Sequence, residues 1–149
     1  MQHLSGVCAA KGFSAAGTHC GLKKKKPDLA VIFSDVPANA AAIYTQNAVK
    51  AAPLHISKNH LTGGTIQAVV INSGNANACA PDGEQNALEM CKLTAQCLNI
   101  PTNQVAVAST GVIGVSMTPK MDLVKSGILQ LAKPSLPTRM VPNPRHRRL

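Results

Sequence analysis

Aromatic residues make up only 2% of the 149-residue chain, and there is no tryptophan. A core must therefore be built from Ala, Val, Ile, Leu and Met, and few side chains remain on which nucleic-acid bases could stack. Acidic residues are also scarce, six against fifteen basic ones, which leaves a net charge of +9. That surplus is local: it sits in Lys23–Lys26 and in Lys133, Arg139, Arg145, Arg147 and Arg148, and the rest of the chain is neutral. A phosphate-binding face would spread its cations over folded structure, so nucleic acid is not an expected partner. The five cysteines (Cys8, Cys20, Cys79, Cys91 and Cys97) include no C-x-x-C pair. An odd, unpaired set argues against a disulfide framework or a zinc site and fits a reducing compartment. No signal-like N-terminal segment and no run of membrane-spanning length occurs, so the expectation is a cytoplasmic protein with no membrane contact.

What is present is 45% apolar residues with eleven glycines and ten prolines, enough for one turn-rich α/β domain. "LAVIFS" (29–34) is a continuous apolar run, which predicts a strand buried on both faces and bounded by Asp35-Val36-Pro37. "AAAIYTQN" (40–47) reads as a following antiparallel strand. Residues 53–61 have helix length and start on Pro53. Residues 66–79 read as a strand that breaks into an Asn/Gly-rich loop at Asn72. Asp82 and Gln85 form a capping-box-like D-x-x-Q start, with Ala87, Cys91, Ala95 and Leu98 at helical spacing, which predicts a helix over 83–98. Residues 104–109 predict a strand, and 119–131 an amphipathic helix carrying Met121, Val124, Ile128 and Leu131. From Lys133 onward four prolines, no acidic residue and no apolar period imply a tail without packed structure, which divides the chain into a domain at 1–132 and a basic tail at 133–149.

The feature with chemical content is "VAVASTGVIG" (105–114), a buried strand that ends in Ser109-Thr110-Gly111 with a second glycine at Gly114. It is no P-loop, since no G-K-[ST] follows, and no dinucleotide fingerprint, since the third glycine is missing. No G-x-S-x-G elbow surrounds Ser73 or Ser109. What remains is an N–H-rich turn that either binds an oxyanion or carboxylate, or is simply a tight turn. Asn72, Asn75 and Asn77 could orient a polar substrate or bond their own backbone as Asx-turns. His55 and His60 are five apart, the wrong spacing for a metal pair on one helix face, and His19-Cys20 has no second pair at ligand spacing. Cys91 and Cys97 read as small core residues, and Lys23–Lys26 as a solvated loop. No Ser/His/Asp or Cys/His grouping stands out, so the residues taken alone supply an anion-binding turn and no nucleophile.

Four stretches nevertheless resemble, in order, one family. "GVCAAKGFSAAGTHCGLK" (6–23), "DLAVIFSDVPANAAAIYTQNAVKAAP" (28–53), "AVVINSGNANAC" (68–79) and "VAVASTGVIG" (105–114) are similar to the N-terminal part of ornithine acetyltransferase, the glutamate N-acetyltransferase or ArgJ family of arginine biosynthesis. The resemblance spans about residues 6–131. It implies a layered αββα sandwich of the DmpA/ArgJ-like type and transfer of an acetyl group from N-acetylornithine, or in some members acetyl-CoA, to glutamate. It also implies a precursor that cleaves itself before a threonine, the nucleophile of the resulting β chain, and an assembly of two α and two β chains. Thr110 and Gly111 match the pair that forms the oxyanion hole.

The departures carry their own expectations. The family's cleavage segment, of the form K-G-x-x-M-x-x-P-x-x-A-T-M-L, has no match here; "PSLPTRMV" around Thr138 has neither the Lys-Gly nor the Ala-Thr. "VSMTPKMDL" after Gly114 also deviates from the usual L-P-M-D arrangement. The expectation is an α region that ends early, with an aberrant basic tail, no nucleophile of its own, no metal and no resident cofactor. Such a chain is either active only beside a β chain or an inactive fragment; a basic polyanion-binding protein is the remaining alternative. A sheet meant to be shared with a second chain should expose apolar edges and faces. A mitochondrial version would begin with a transit segment, and the match here starts within the first few residues, which again favours the cytoplasm.

Overall fold

Apolar residues at alternate positions along four segments, and at every third or fourth position along three others, sort this chain into one sheet and one layer of helices. In the computed structural model, which describes residues 6–131, the order is β1 (Phe13–Thr18), β2 (Leu29–Asn39), α1 (Ala52–His60), β3 (Thr65–Asn75), α2 (Gly83–Leu98), β4 (Val105–Val112) and α3 (Met121–Leu131). The strands lie in the order β1-β2-β3-β4. The first two pairings are antiparallel and β3 runs parallel to β4. Parallel neighbours cannot be joined by a tight turn, and α2 provides the crossover between them. The class is mixed α/β, as expected. The tail at 133–149 lies outside the described residues.

The core forms where the helices meet one face of the sheet. Leu29, Val31, Ala68, Val70, Val105 and Val107 point into it, and Ala87, Met90, Cys91, Ala95, Val124 and Ile128 come down from α2 and α3. Cys91 is fully buried in this layer, and Cys97 packs against it half-buried. Met121 and Leu131 flank the buried stripe of α3, so all four positions expected to face inward do so. Gly127 lets α3 come close to β2: a β-carbon there would meet Leu29 Cδ2 at 2.6 Å and Cys20 Cβ at 2.7 Å.

Three expectations need correction. "LAVIFS" is not buried on both faces: Leu29 and Val31 are buried, whereas Ala30 and Ile32 on the opposite face are only half-buried. β3 repeats this alternation, with Ile66, Ala68 and Val70 inside and Gln67, Val69 and Ile71 half-exposed. One face of the sheet is therefore uncovered among the described residues. Asp35-Val36-Pro37 does not end the strand either. It forms a bulge, since the pairing shifts between Phe33 and Ala38 before resuming at Ala38↔Ile66. Proline cannot donate to a ladder, and a bulge is where a strand tolerates it.

The third correction is the segment 40–47, which is no strand. β1 already pairs one edge of β2 and β3 the other, with Asn39↔Thr65 as the last pair. No edge is left for a further strand beside β2, and the segment runs without regular structure with Ile43 fully exposed.

The outer edge of β4 is capped by α1 rather than by a strand. Ser57 Oγ donates to Val107 O at 2.7 Å and accepts from Val107 N at 2.9 Å. His60 Nδ1 lies 2.7 Å from Val105 O. A sheet edge is a row of unpaired donors and acceptors, and α1 satisfies the first half of this one.

Candidate functional site

Beyond Val107 the support from α1 stops and the character of the strands changes. The parallel register carries Asn72↔Ser109, Ser73↔Thr110, Gly74↔Gly111 and Asn75↔Val112, so β3 and β4 both continue past the points where loops were expected. Thr110 and Gly111 are strand residues, and the chain turns only at Ile113-Gly114. The expected turn is thus displaced by about two residues, because the pairing with β3 persists through the polar sequence.

Gly74 and Gly111 face one another, with φ of 126° and 136°. These values lie in a region that L side chains rarely adopt. The approach is also close: a β-carbon on Gly111 would lie 2.4 Å from Gly74 C and 2.6 Å from Asn75 N. On its other side Gly74 packs on the backbone of Leu22, where an added β-carbon would meet C and O at 3.3 Å. Three stretches of backbone are stacked here, and only glycine permits it.

Alternation fixes what this strand end presents. Val107 turns its N–H and C=O outward, to Ser57. Four residues later, two full strand repeats, Gly111 has the same parity, which turns its N–H to the outer edge. Thr110 has the parity of the uncovered sheet face, as does its neighbour Ser73, and Thr110 is exposed. Among the described residues no hydrogen bond engages the Thr110 hydroxyl, and none from outside the sheet engages the Gly111 N–H.

The three asparagines do not face solvent. Asn72, Asn75 and Asn77 are 0%, 2% and 0% exposed. Asn75 Oδ1 accepts from Asn77 N at 2.7 Å, which is an Asx-turn, and Asn75 Nδ2 donates to Val115 O at 2.9 Å. Asn72 Nδ2 donates to Asn75 O, and Asn77 Nδ2 to Gly83 O. Of the two readings open for these residues, the structure selects backbone bonding. They hold the loop that leaves β3, and Asn77 and Cys79 adopt positive φ there.

The histidines disperse. His55 meets Glu84 at 3.1 Å, and His60 turns to the edge of β4. His19 lies 3.1 Å from Asp28, a residue that local sequence reading missed. Asp28 is 2% exposed and accepts from the N–H groups of Cys20 (2.7 Å), Lys23 (2.7 Å) and Gly21 (3.2 Å). Burial works to raise its pKa, but the Lys23 and Cys20 N–H groups outweigh it and hold the carboxyl below its ordinary value. Residues 20–23 thus wrap their backbone around a carboxylate while Lys24–Lys26 remain exposed. Asp28 O also accepts from Ser73 N at 2.8 Å, which ties the wrapped loop to the end of β3.

Asp82 is the second acid that the sequence misplaced. It precedes α2, and its carbonyl accepts from Asn86 N at 3.0 Å, but its side chain makes no capping bond to the helix backbone. Its Oδ2 accepts instead from Ser116 Oγ and Thr118 Oγ1, and from Asn86 Nδ2 at 2.9 Å. These donors, Ser116 foremost, hold its pKa well below the usual carboxylate range. The thiols run the other way. Burial pushes Cys91 up to about 12 and, helped by Asp28, Cys20 up to about 11, so neither is a thiolate near neutral pH.

With this geometry in place, the comparisons identify relatives. The model of the ArgJ family matches residues 14–141. The arginine biosynthesis bifunctional protein ArgJ of Shouchella clausii is 52% identical over 141 residues, covering 91% of this chain and 34% of that protein. The corresponding protein of Listeria monocytogenes is 49% identical over 136 residues, covering 89% and 34%. Among solved structures, ArgJ from Bacillus halodurans superposes with a TM-score of 0.82 at 46% identity, covering 85% of this chain and 66% of that one. Ornithine acetyltransferase from Mycobacterium tuberculosis, complexed with ornithine, gives 0.80 at 38% identity, covering 85% and 69%. The chain spans about a third of the length of the curated relatives it matches.

Proposed function

As the chain belongs to the ArgJ family, we propose that its β4 end is the oxyanion hole of an acetyltransferase of arginine biosynthesis. The reaction moves the acetyl group of N-acetylornithine, or of acetyl-CoA, to glutamate. The observation that carries this reading is the pairing of Thr110 and Gly111. One supplies an exposed hydroxyl and the other an outward N–H, on a strand end fixed by the contact between Gly111 and Gly74. Attack on an acetyl carbonyl places negative charge on its oxygen. Two donors already held in place stabilise that charge without reorganising, and each is worth about 3–4 kcal/mol of barrier.

The nucleophile in this reading is a threonine on a second chain, and the Cys20 and Cys91 thiols, both held protonated near neutral pH, do not replace it. The uncovered sheet face, with Ile32, Val69 and Ile71 half-exposed, suits cover by that chain's sheet, which would complete the αββα layers. The assembly would hold two copies of each chain and work in the cytoplasm beside other amino-acid biosynthesis. Among the described residues no helix is long and apolar enough to cross a membrane.

The test is co-expression of this chain with the C-terminal part of an ArgJ relative, followed by an assay of acetyl transfer from N-acetylornithine to glutamate. Transfer by the pair and not by either part alone is the expected result. A co-purified pair that transfers nothing would leave the inactive-fragment reading standing.

A further inference from the structure

We propose that Asp82 is a positioning residue for the Thr110–Gly111 strand end, acting through the segment that leaves β4. The functional meaning of this proposal rests on the oxyanion reading above; its structural content does not.

The segment after Gly111 is fastened to the loop between β3 and α2 at successive points. Val112 O accepts from Ala76 N at 2.9 Å, and Gly114 N donates to Ala78 O at 2.8 Å. Val115 O accepts from Asn75 Nδ2 at 2.9 Å. Ser116 and Thr118 then close the series on Asp82 with both hydroxyls, while the Thr118 N–H lies 3.4 Å from the same oxygen. Asn86, one turn into α2, bonds Asp82 Oδ2 and reaches Thr118 Oγ1 at 3.2 Å.

Asp82 is the charged member of this series, and hydrogen bonds to an ionised acceptor are the strong ones. Its attachment to α2 also matters, because α2 sits in the packed core through Ala87, Met90 and Cys91. Val112, Ile113 and Val115 are all exposed, and the apolar anchor of the segment is Met117, fully buried in the core between Ser116 and Thr118; the carboxylate fixes the polar residues on either side of it to the same core. Without that anchor the segment would keep its bonds to Asn75, Ala76 and Ala78 and the buried Met117, but lose the ties that fix Ser116 and Thr118 to the start of α2. Donors that must stay within a fraction of an ångström of a developing charge depend on such outer support.

Hydrogen exchange of this chain, read by mass spectrometry on peptides covering 109–118 and 87–95, tests the proposal. In Asp82→Asn the protected amides of 112–118 should exchange about tenfold faster, the scale set by one lost charge-assisted hydrogen bond, while those of 87–95 stay within about twofold. The double variant Ser116→Ala/Thr118→Val removes the donors, leaves the acid, and should give the same pattern. It also keeps the question open to test if Asp82→Asn fails to fold. Equal acceleration of both peptides would show that Asp82 merely secures α2, and acceleration of neither would show that it anchors nothing; either result overturns the proposal. In the co-expressed pair, Asp82→Asn should lower kcat with KM little changed, whereas an unchanged kcat also counts against it. The exchange pattern reads positioning even if no acetyl transfer is found, so failure of the anchor and failure of the acetyltransferase reading are distinguishable.

Discussion

From Ala68 to Ile71, β3 faces β4 as two runs of small and aliphatic residues; from Asn72 to Asn75 the same strands meet through asparagine, serine and glycine. The first half is held by burial. Val70 and Val105 are fully buried beneath α2, and α1 satisfies the edge through Ser57 and His60. The second half buries almost no apolar side chain of β4. It is held instead by side-chain amides, the Asp82 carboxylate, the Asp28 backbone carbonyl and the close approach of two glycines. Apolar packing is non-directional and tolerates exchange of shape at constant volume. Hydrogen bonds and glycine contacts specify geometry to a fraction of an ångström. One pair of strands thus divides the work, stability in its body and precision at its end.

Substitutions can pull those two properties apart. The largest loss of stability should come from the body: Met90→Ala empties a fully buried position in the helix layer and should cost about 2–5 kcal/mol. Urea unfolding checks this, and a loss under 1 kcal/mol would mean that the packed half is not what holds the domain. Gly111→Ala comes next. Its β-carbon collides with Gly74 and φ is unfavourable, so about 2–4 kcal/mol should be lost. Here the loss should be accompanied by displaced amide resonances at 73–76 while those of α3 stay in place. Gly127→Ala, which forces α3 away from Leu29 and Cys20, belongs to the packed half and should cost about 1–3 kcal/mol. Its perturbation should spread through α3 and leave Gly111 untouched.

The smallest effect concerns acid. Asp28 and Asp82 have carboxyl pKa values depressed by folding, so the native state binds fewer protons than the unfolded chain. The stability they contribute is complete above the unfolded carboxylate value of about 3.9, and it is lost as pH falls through the lower native values. Urea midpoints should therefore hold level from neutral pH to about 5 and drop below about 4. Asp28→Asn should flatten that drop. An equally steep drop in the variant would remove Asp28 from the set of groups that acid breaks.

The same division explains what the sequence made legible. The helices at 83–98 and 121–131 are readable because apolar periodicity is a local signal, the one at 52–60 from its length and Pro53, and the body of the sheet from short apolar runs, which mark a strand without showing which of its faces is covered. The strand end was readable in composition but not in form. Nothing near Gly111 shows that Gly74 lies against it, since they are brought together by the crossover through α2. Asp82 carries the spacing of a capping box, and only the fold shows that Ser116 and Thr118 draw its carboxylate away from the helix. Asp28 has no motif at all: its partners are backbone N–H groups, which every residue but proline has. Residues 40–47 failed for a related reason, because strand propensity cannot reveal that both edges of β2 are occupied.

If the precise half of this strand pair serves charge stabilisation, the Thr110 hydroxyl carries a share of it, and two variants at that position measure the share. In the co-expressed assembly, Thr110→Val removes the hydroxyl at nearly constant volume, whereas Thr110→Ser keeps it. Acetyl transfer from N-acetylornithine to glutamate should fall about 10²–10³-fold in kcat for valine and only a few-fold for serine, with KM little moved in either. A valine variant that transfers acetyl at the rate of the unsubstituted protein would mean that the Thr110 hydroxyl stabilises no charge in the reaction.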